Sequence, residues 1–202
     1  MKRLVLAAAA VALLAPGATA ATGTCLDLAD PAGDVRVSDL LPALPGGTAH
    51  EVDSVDLVGV RVEAVTAGEL AVTFRVAGVP EPRPGTSYEY RMLFSDADYE
   101  YELSADIAGL VRVPTAGSPY ELLMRPRTGG QPWTHSVSGT IDVGAGTVSV
   151  STVTLPWLGN MDPGRTFSID GFAAYAGAPG ATHGPVDTIA GGHTLVVGDG
   201  CP

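Results

Sequence analysis

The chain reads as all-β: a two-sheet antiparallel β-sandwich of jelly-roll or immunoglobulin-like topology, with its two ends tied by a disulfide. Three observations predict this. Apolar and polar residues alternate with a period of two, as in Leu70-Ala71-Val72-Thr73-Phe74-Arg75-Val76, where the even positions are apolar while Thr73 and Arg75 face away. The 26 Gly and 16 Pro are spread along the chain and punctuate these runs, so that no long helical periodicity survives. The two cysteines, Cys25 and Cys201, lie near the two ends of the exported chain, where oxidation joins them by default.

The N-terminus supports export. Lys2 and Arg3 precede an apolar run over 4–14, Pro16 and Gly17 break it, and Ala18-Thr19-Ala20 supplies the small residues of a cleavage site. The apolar run is shorter than the roughly 20 residues a membrane span needs. The expected organisation is therefore a signal peptide over 1–20 and one sandwich domain over 21–202, secreted, with no membrane span in the mature chain. No boundary or internal repeat divides that domain, and a monomer is the expected state.

Taken in order, the expected strands cover 55–65, 69–76, 87–95, 99–105, 110–113, 120–124, 136–143, 147–155, 167–176 and 193–197. Thr66-Ala67-Gly68, Asp96-Ala97-Asp98 and Gly144-Ala145-Gly146 read as hairpin connections. Segments 79–86, with Pro80, Pro82 and Pro84, and 177–192, rich in Gly, Ala and Pro, read as loops. Roughly ten short strands without intervening helices favour a sandwich over a barrel. A bridge from Cys25 to Cys201 closes nearly the whole mature chain, which chain entropy values at about 5 kcal/mol. It also requires the first and last strands to lie side by side.

Charge excludes some partners. Removal of Lys2 and Arg3 takes the formal charge from −11 to −13 and leaves no lysine. Such a surface repels nucleic acid and anionic lipid, both of which are bound through clustered Lys and Arg. It suits divalent cations or neutral ligands, and it also serves solubility alone.

The acidic segment Asp27-Leu28-Ala29-Asp30-Pro31-Ala32-Gly33-Asp34, followed by Asp53 and Asp56, admits two readings. Carboxylates at close, irregular spacing in a Pro/Gly loop are what calcium uses, since it takes about six to eight oxygens on a flexible backbone. Asp-Pro-x-Gly is also an ordinary turn, with Asp capping the backbone and Pro fixing φ. No EF-hand spacing is present.

Asp30-Pro31-Ala32-Gly33-Asp34, the later Asp53-x-x-Asp56 leading into a strand, and Gly68-Glu69-Leu70-x-Val72-x-Phe74 together resemble the start of DOMON-like or family-9-like carbohydrate-binding sandwiches. Leu155-Pro156-Trp157-Leu158-Gly159 is similar to the proline-led segment after a late strand in these modules. The resemblance covers about half of the chain. It implies a non-catalytic binding module for a glycan or cell-envelope polymer, with Asp30, Asp34, Asp53 and Asp56 as calcium-site residues. The chain lacks the Met and His pair of the haem-binding members.

A sugar-binding face needs exposed rings that stack on sugar C–H groups, with polar groups beside them. Trp133, Trp157, Tyr88, Tyr90, Tyr99 and Tyr101 are the candidates. Core packing is the competing reading for each, and Met92 and Phe94 continue the face of Tyr88 and Tyr90. His50, His135, His183 and His193 are far apart and mostly in loops, without the spacing of a zinc centre. No nucleophile elbow or phosphate loop occurs, and Glu100 and Glu102 fall on one face of a strand rather than across a cleft. No enzyme is expected. A structural or protein-interaction domain without a small ligand is the alternative to a binding module.

Overall fold

The computed structural model describes residues 22–23, 25–42, 44, 46–65, 69–78, 82–108, 119–152, 163–178 and 184–198. These form strands β1 (Thr22–Gly23), β2 (Cys25–Ala29), β3 (Leu57–Val65), β4 (Glu69–Val76), β5 (Ser87–Ser95), β6 (Tyr99–Ala108), β7 (Tyr120–Pro126), β8 (Trp133–Ser136), β9 (Ser138–Asp142), β10 (Thr147–Ser151), β11 (Thr166–Gly177) and β12 (Asp187–Val196). Two short helices, α1 (Val37–Leu40) and α2 (Ala49–Val55), lie between β2 and β3. None of the described helices is long and apolar enough to cross a membrane.

The strands make two antiparallel sheets. The larger runs β12-β11-β5-β6-β7-β8 and is extended at its β12 edge by β1, which pairs in parallel through Thr22 and Thr194. The smaller runs β2-β3-β4-β10-β9. Their inner faces share one core. Phe74 of β4 sits 5.8 Å from Tyr90 of β5 and 6.5 Å from Phe172 of β11, so a single ring joins three strands from both sheets. Burying a side chain of this size stabilises by about 2–3 kcal/mol. The period-two pattern is strictest in β4, where Leu70, Val72, Phe74 and Val76 are buried and their neighbours half-buried.

The order of sheets depends on one residue. Trp133–Ser136 pairs with β7 in the larger sheet, whereas Ser138–Asp142 pairs with β10 in the smaller. Val137 between them is buried and donates its N–H to the Tyr120 carbonyl at 3.0 Å. The continuous strand expected over 136–143 is therefore two strands in different sheets, because the chain crosses over at Val137.

Other expectations are also corrected. The strand expected to start at 55 starts at Leu57, since 49–55 is helical. Glu51 accepts from the Thr48 N–H at 2.7 Å, and that reciprocal cap starts the helix. The loop expected over 177–192 ends early, because β12 begins at Asp187 and pairs with β11 from Ala174 onward. Cys25–Ala29 is a strand paired with β3, although its sequence gave no period-two signal long enough to read. His193, in the strand expected over 193–197, lies in β12 opposite Ile169 and is buried. The expected strand at 110–113 lies outside the described residues, as does 153–155 at the end of the one expected over 147–155. Cys201 does too.

β11 carries a bulge. Asp170 is an extra residue against β5, and β12 carries its own extra residue opposite the same point. Gly191 is required there: a Cβ on it would stand 2.1 Å from the Asp170 carbonyl oxygen. The bulge turns the exposed Asp170 outward on the larger sheet.

Candidate functional site

One end of the sandwich gathers carboxylates from four separate pieces of chain. Asp30 follows β2, Asp34 lies in the Pro/Gly turn beyond it, Asp56 caps the C-terminus of α2, and Asp187 opens β12. The antiparallel β2–β3 register places the end of β2 against the start of β3, with Ala29 opposite Gly59. The Asp30 N–H closes this end by donating to the Val58 carbonyl at 3.1 Å. Asp187 brings in the other sheet: its Oδ2 accepts from the Leu57 N–H at 2.6 Å.

The oxygens converge. Asp30, Asp34 and Asp187 each offer a carboxylate oxygen within 4.8 Å of the others. Asp56 is 1 % exposed. Its Oδ2 accepts from the Gly33 N–H at 2.6 Å, while its Oδ1 and Asp30 Oδ2 are buried with no hydrogen-bond partner. Burial first, with Asp187, Asp34 and Asp56 acting the same way, raises the Asp30 carboxyl to about 6. Burial likewise raises Asp56 against the opposing Gly33 N–H, with Asp187 and Asp34 adding to the rise. Asp187 is raised by burial despite the N–H groups of Leu57 and Thr188. Buried anionic oxygens facing one another without donors are costly unless a cation or a proton joins them. Hard oxygen donors on a loop and two strand ends suit calcium chemistry.

Of the residues expected to form this site, Asp30, Asp34 and Asp56 come together. Asp53 does not: it is exposed on α2, and its main-chain carbonyl accepts from Gly78 at 2.8 Å. Asp187 takes part instead. No local pattern marks it, since it lies in a Val-Asp-Thr run far along the chain.

The aromatic candidates separate by burial. Tyr88 and Tyr90 have no exposure, and the Tyr90 hydroxyl donates to the Ser54 carbonyl at 2.6 Å, so both are core residues that cannot meet a sugar. Tyr101 is 4 % exposed and stacks on Phe94 at 4.7 Å. Trp133 is 48 % exposed, and Tyr99, half-buried, lies 6.2 Å from it at an angle of 50°. Trp133 belongs to β8 and faces the same way as Met124, at the margin of the sandwich. Trp157 lies outside the described residues.

Glu100 and Glu102 point to the outer face of β6, where Arg91, Arg125 and Arg127 pair with them. Asp96 lies in the β5–β6 turn and is satisfied by four donors, so it holds structure.

Fold and site together define an acidic, two-sheet β-sandwich with a carboxylate cluster at one end and an exposed tryptophan at an edge. Comparison with protein-family models, with curated proteins and with solved structures gave no match.

Proposed function

We propose that this chain is a secreted, non-catalytic binding module whose fold is clamped by a calcium ion held by Asp30, Asp34, Asp56 and Asp187. The observation that supports it best is the buried, donorless pair of oxygens, Asp56 Oδ1 and Asp30 Oδ2, among like charges. An ion there joins the turn after β2 and the end of α2 to β12 and so ties the two sheets at one end. The DOMON-like or family-9-like reading, with its jelly-roll or immunoglobulin-like topology, agrees with an early acidic loop in this role.

The Cys25–Cys201 bridge belongs to the same reading. Gly198, three residues before Cys201, donates to the Ala64 carbonyl at 3.0 Å, while Cys25 pairs with the adjacent Glu63. The C-terminal end thus runs beside β3, the strand that pairs with the one carrying Cys25. Trp133 with Tyr99 is the face proposed for a glycan or cell-envelope polymer, because a flat exposed ring can cover a sugar C–H face.

Thermal melting in calcium and in EDTA tests the clamp. An ion that binds only the folded state must raise Tm with concentration. An unchanged melt, in a protein that Asp187→Asn also leaves unchanged, removes the proposal. Affinity electrophoresis in polysaccharide gels tests the ligand face: Trp133→Ala must abolish any retardation seen. Migration unaltered in every polysaccharide would instead favour a structural or interaction role.

A further inference from the structure

The outer face of the larger sheet has an unusual composition for a solvated surface. Alternation along β5, β6 and β7 and the bulge in β11 present Glu89, Glu100, Glu102, Asp106, Glu121 and Asp170 outward, against Arg91 and Arg125. In its middle, the register sets Leu93, Glu102 and Leu123 side by side across three strands. Leu93 is 39 % exposed. These leucines, with Glu100, Glu102, Arg125 and Asp170, line a groove of about 170 Å³.

Much of the negative charge there is uncompensated. Arg91 is held by Glu89 at 2.6 Å and reaches Glu102 at 3.3 Å, with its guanidinium over the Tyr175 ring. Arg125 approaches Glu100 only to 3.7 Å and Arg127 only to 4.0 Å, with all three side chains about half exposed. Asp170 meets the Ser168 hydroxyl at 3.4 Å. The outer face of the smaller sheet differs. There Arg75 pairs with Asp27 and Arg61 with Glu63, and the next row is Thr73, Ser149 and Thr140. Glu69 there accepts from the Ser151 hydroxyl, Asp142 stands at the β9 edge, and no leucine emerges among the described residues.

We infer that the Leu93–Leu123 groove docks an extended basic segment of a partner polypeptide, with aliphatic stems on the leucines and cationic heads on Glu100, Glu102 and Asp170. Lysine and arginine suit both demands, since their methylene stems cover apolar surface while the charge stays at the rim. The flat strand face admits an extended chain, and the acidic field steers a basic one to it. Nucleic acid and anionic lipid are repelled by the same charges. This surface is independent of the calcium site and of Trp133.

The test uses the full mature chain and a fluorescein-labelled peptide of alternating lysine and valine. Saturable binding must shift the amide signals of β5, β6, β7 and β11 in nitrogen-15 correlation spectra. The double variant Glu102→Gln/Asp170→Asn should weaken binding about tenfold, and Leu93→Ser by a similar factor at unchanged charge. The charge-matched pair Asp27→Asn/Glu63→Gln on the other sheet should leave affinity within about twofold. Equal loss from both double variants, shifts confined to other strands, or no binding would each overturn the inference. The spectra themselves report whether each variant is folded.

Discussion

Asp96 and Asp56 are two aspartates withdrawn from solvent in the same sandwich, and they behave in opposite ways. Asp96 accepts from the N–H groups of Asp98 and Tyr99, each at 2.8 Å, from the Tyr101 hydroxyl at 2.9 Å and from the Arg165 guanidinium. Burial pushes its carboxyl up, but the Tyr99 and Asp98 N–H groups, Tyr101 and Arg165 together hold it below the usual range. Asp56 has one N–H donor, one orphaned oxygen and carboxylates for neighbours, and it is raised. Desolvation is the largest effect at both, so burial does not decide the sign. Donors do. A carboxylate that brings its donors with it is a structural staple, and one buried without them calls for a proton or a cation.

Four measurements break or sharpen this contrast, beginning with the largest effect. Calcium at about a thousandfold over its Kd should stabilise the fold by roughly 4 kcal/mol, read as the shift of the urea midpoint. Asp187→Asn should remove most of that gain, whereas a full gain in this variant would show that the ion binds elsewhere. Next, Asp96→Ala should cost about 2–3 kcal/mol whether or not calcium is present, because it strands Arg165 and the turn N–H groups. A cost that vanished in calcium would erase the distinction between staple and site.

The third measurement is melting against pH in EDTA. A carboxyl raised in the folded state contributes stability that is complete below its ordinary value of 3.8 and is lost as pH rises through about 6. Tm of the calcium-free protein should therefore fall between pH 5 and pH 7. Asp96 acts with the other sign: its contribution is present above 3.8 and fades only as pH falls through its depressed value. It is silent in the same window, which isolates the cluster. A calcium-free Tm that instead rose across this window would mean that the carboxylates are already compensated. The smallest effect is Asp53→Asn, where the exposed side chain leaves stability within about 0.5 kcal/mol and the calcium response intact. A lost calcium response there would restore Asp53 to the site.

Much of the architecture is legible in the chain because burial in a half-exposed strand repeats every two residues, a local property. The hairpin strands β3–β4 and β5–β6 follow from it, as does the separation of Glu100 and Glu102 from the core side of β6. Helix α2 was also within reach: Thr48-Ala49-His50-Glu51 is a capping pair at the spacing that starts a helix. The crossover at Val137 was not, since apolar alternation runs straight through it and only the pairing partners change. Half of β12 was masked by Gly191 and Gly192, whose bulge interrupts the period that marks a strand.

The chain by itself determined the all-β class and the presence of an early acidic turn, because both are written in near-neighbour patterns of polarity. Tertiary structure alone decided which aspartates meet. Asp187 lies 130 positions from Leu57, whose N–H it accepts, while Asp53, three residues from Asp56, turns away on α2. Electrostatic contact depends on distance in space, and a helix or a strand crossing resets that distance without leaving any mark in the local order of residues.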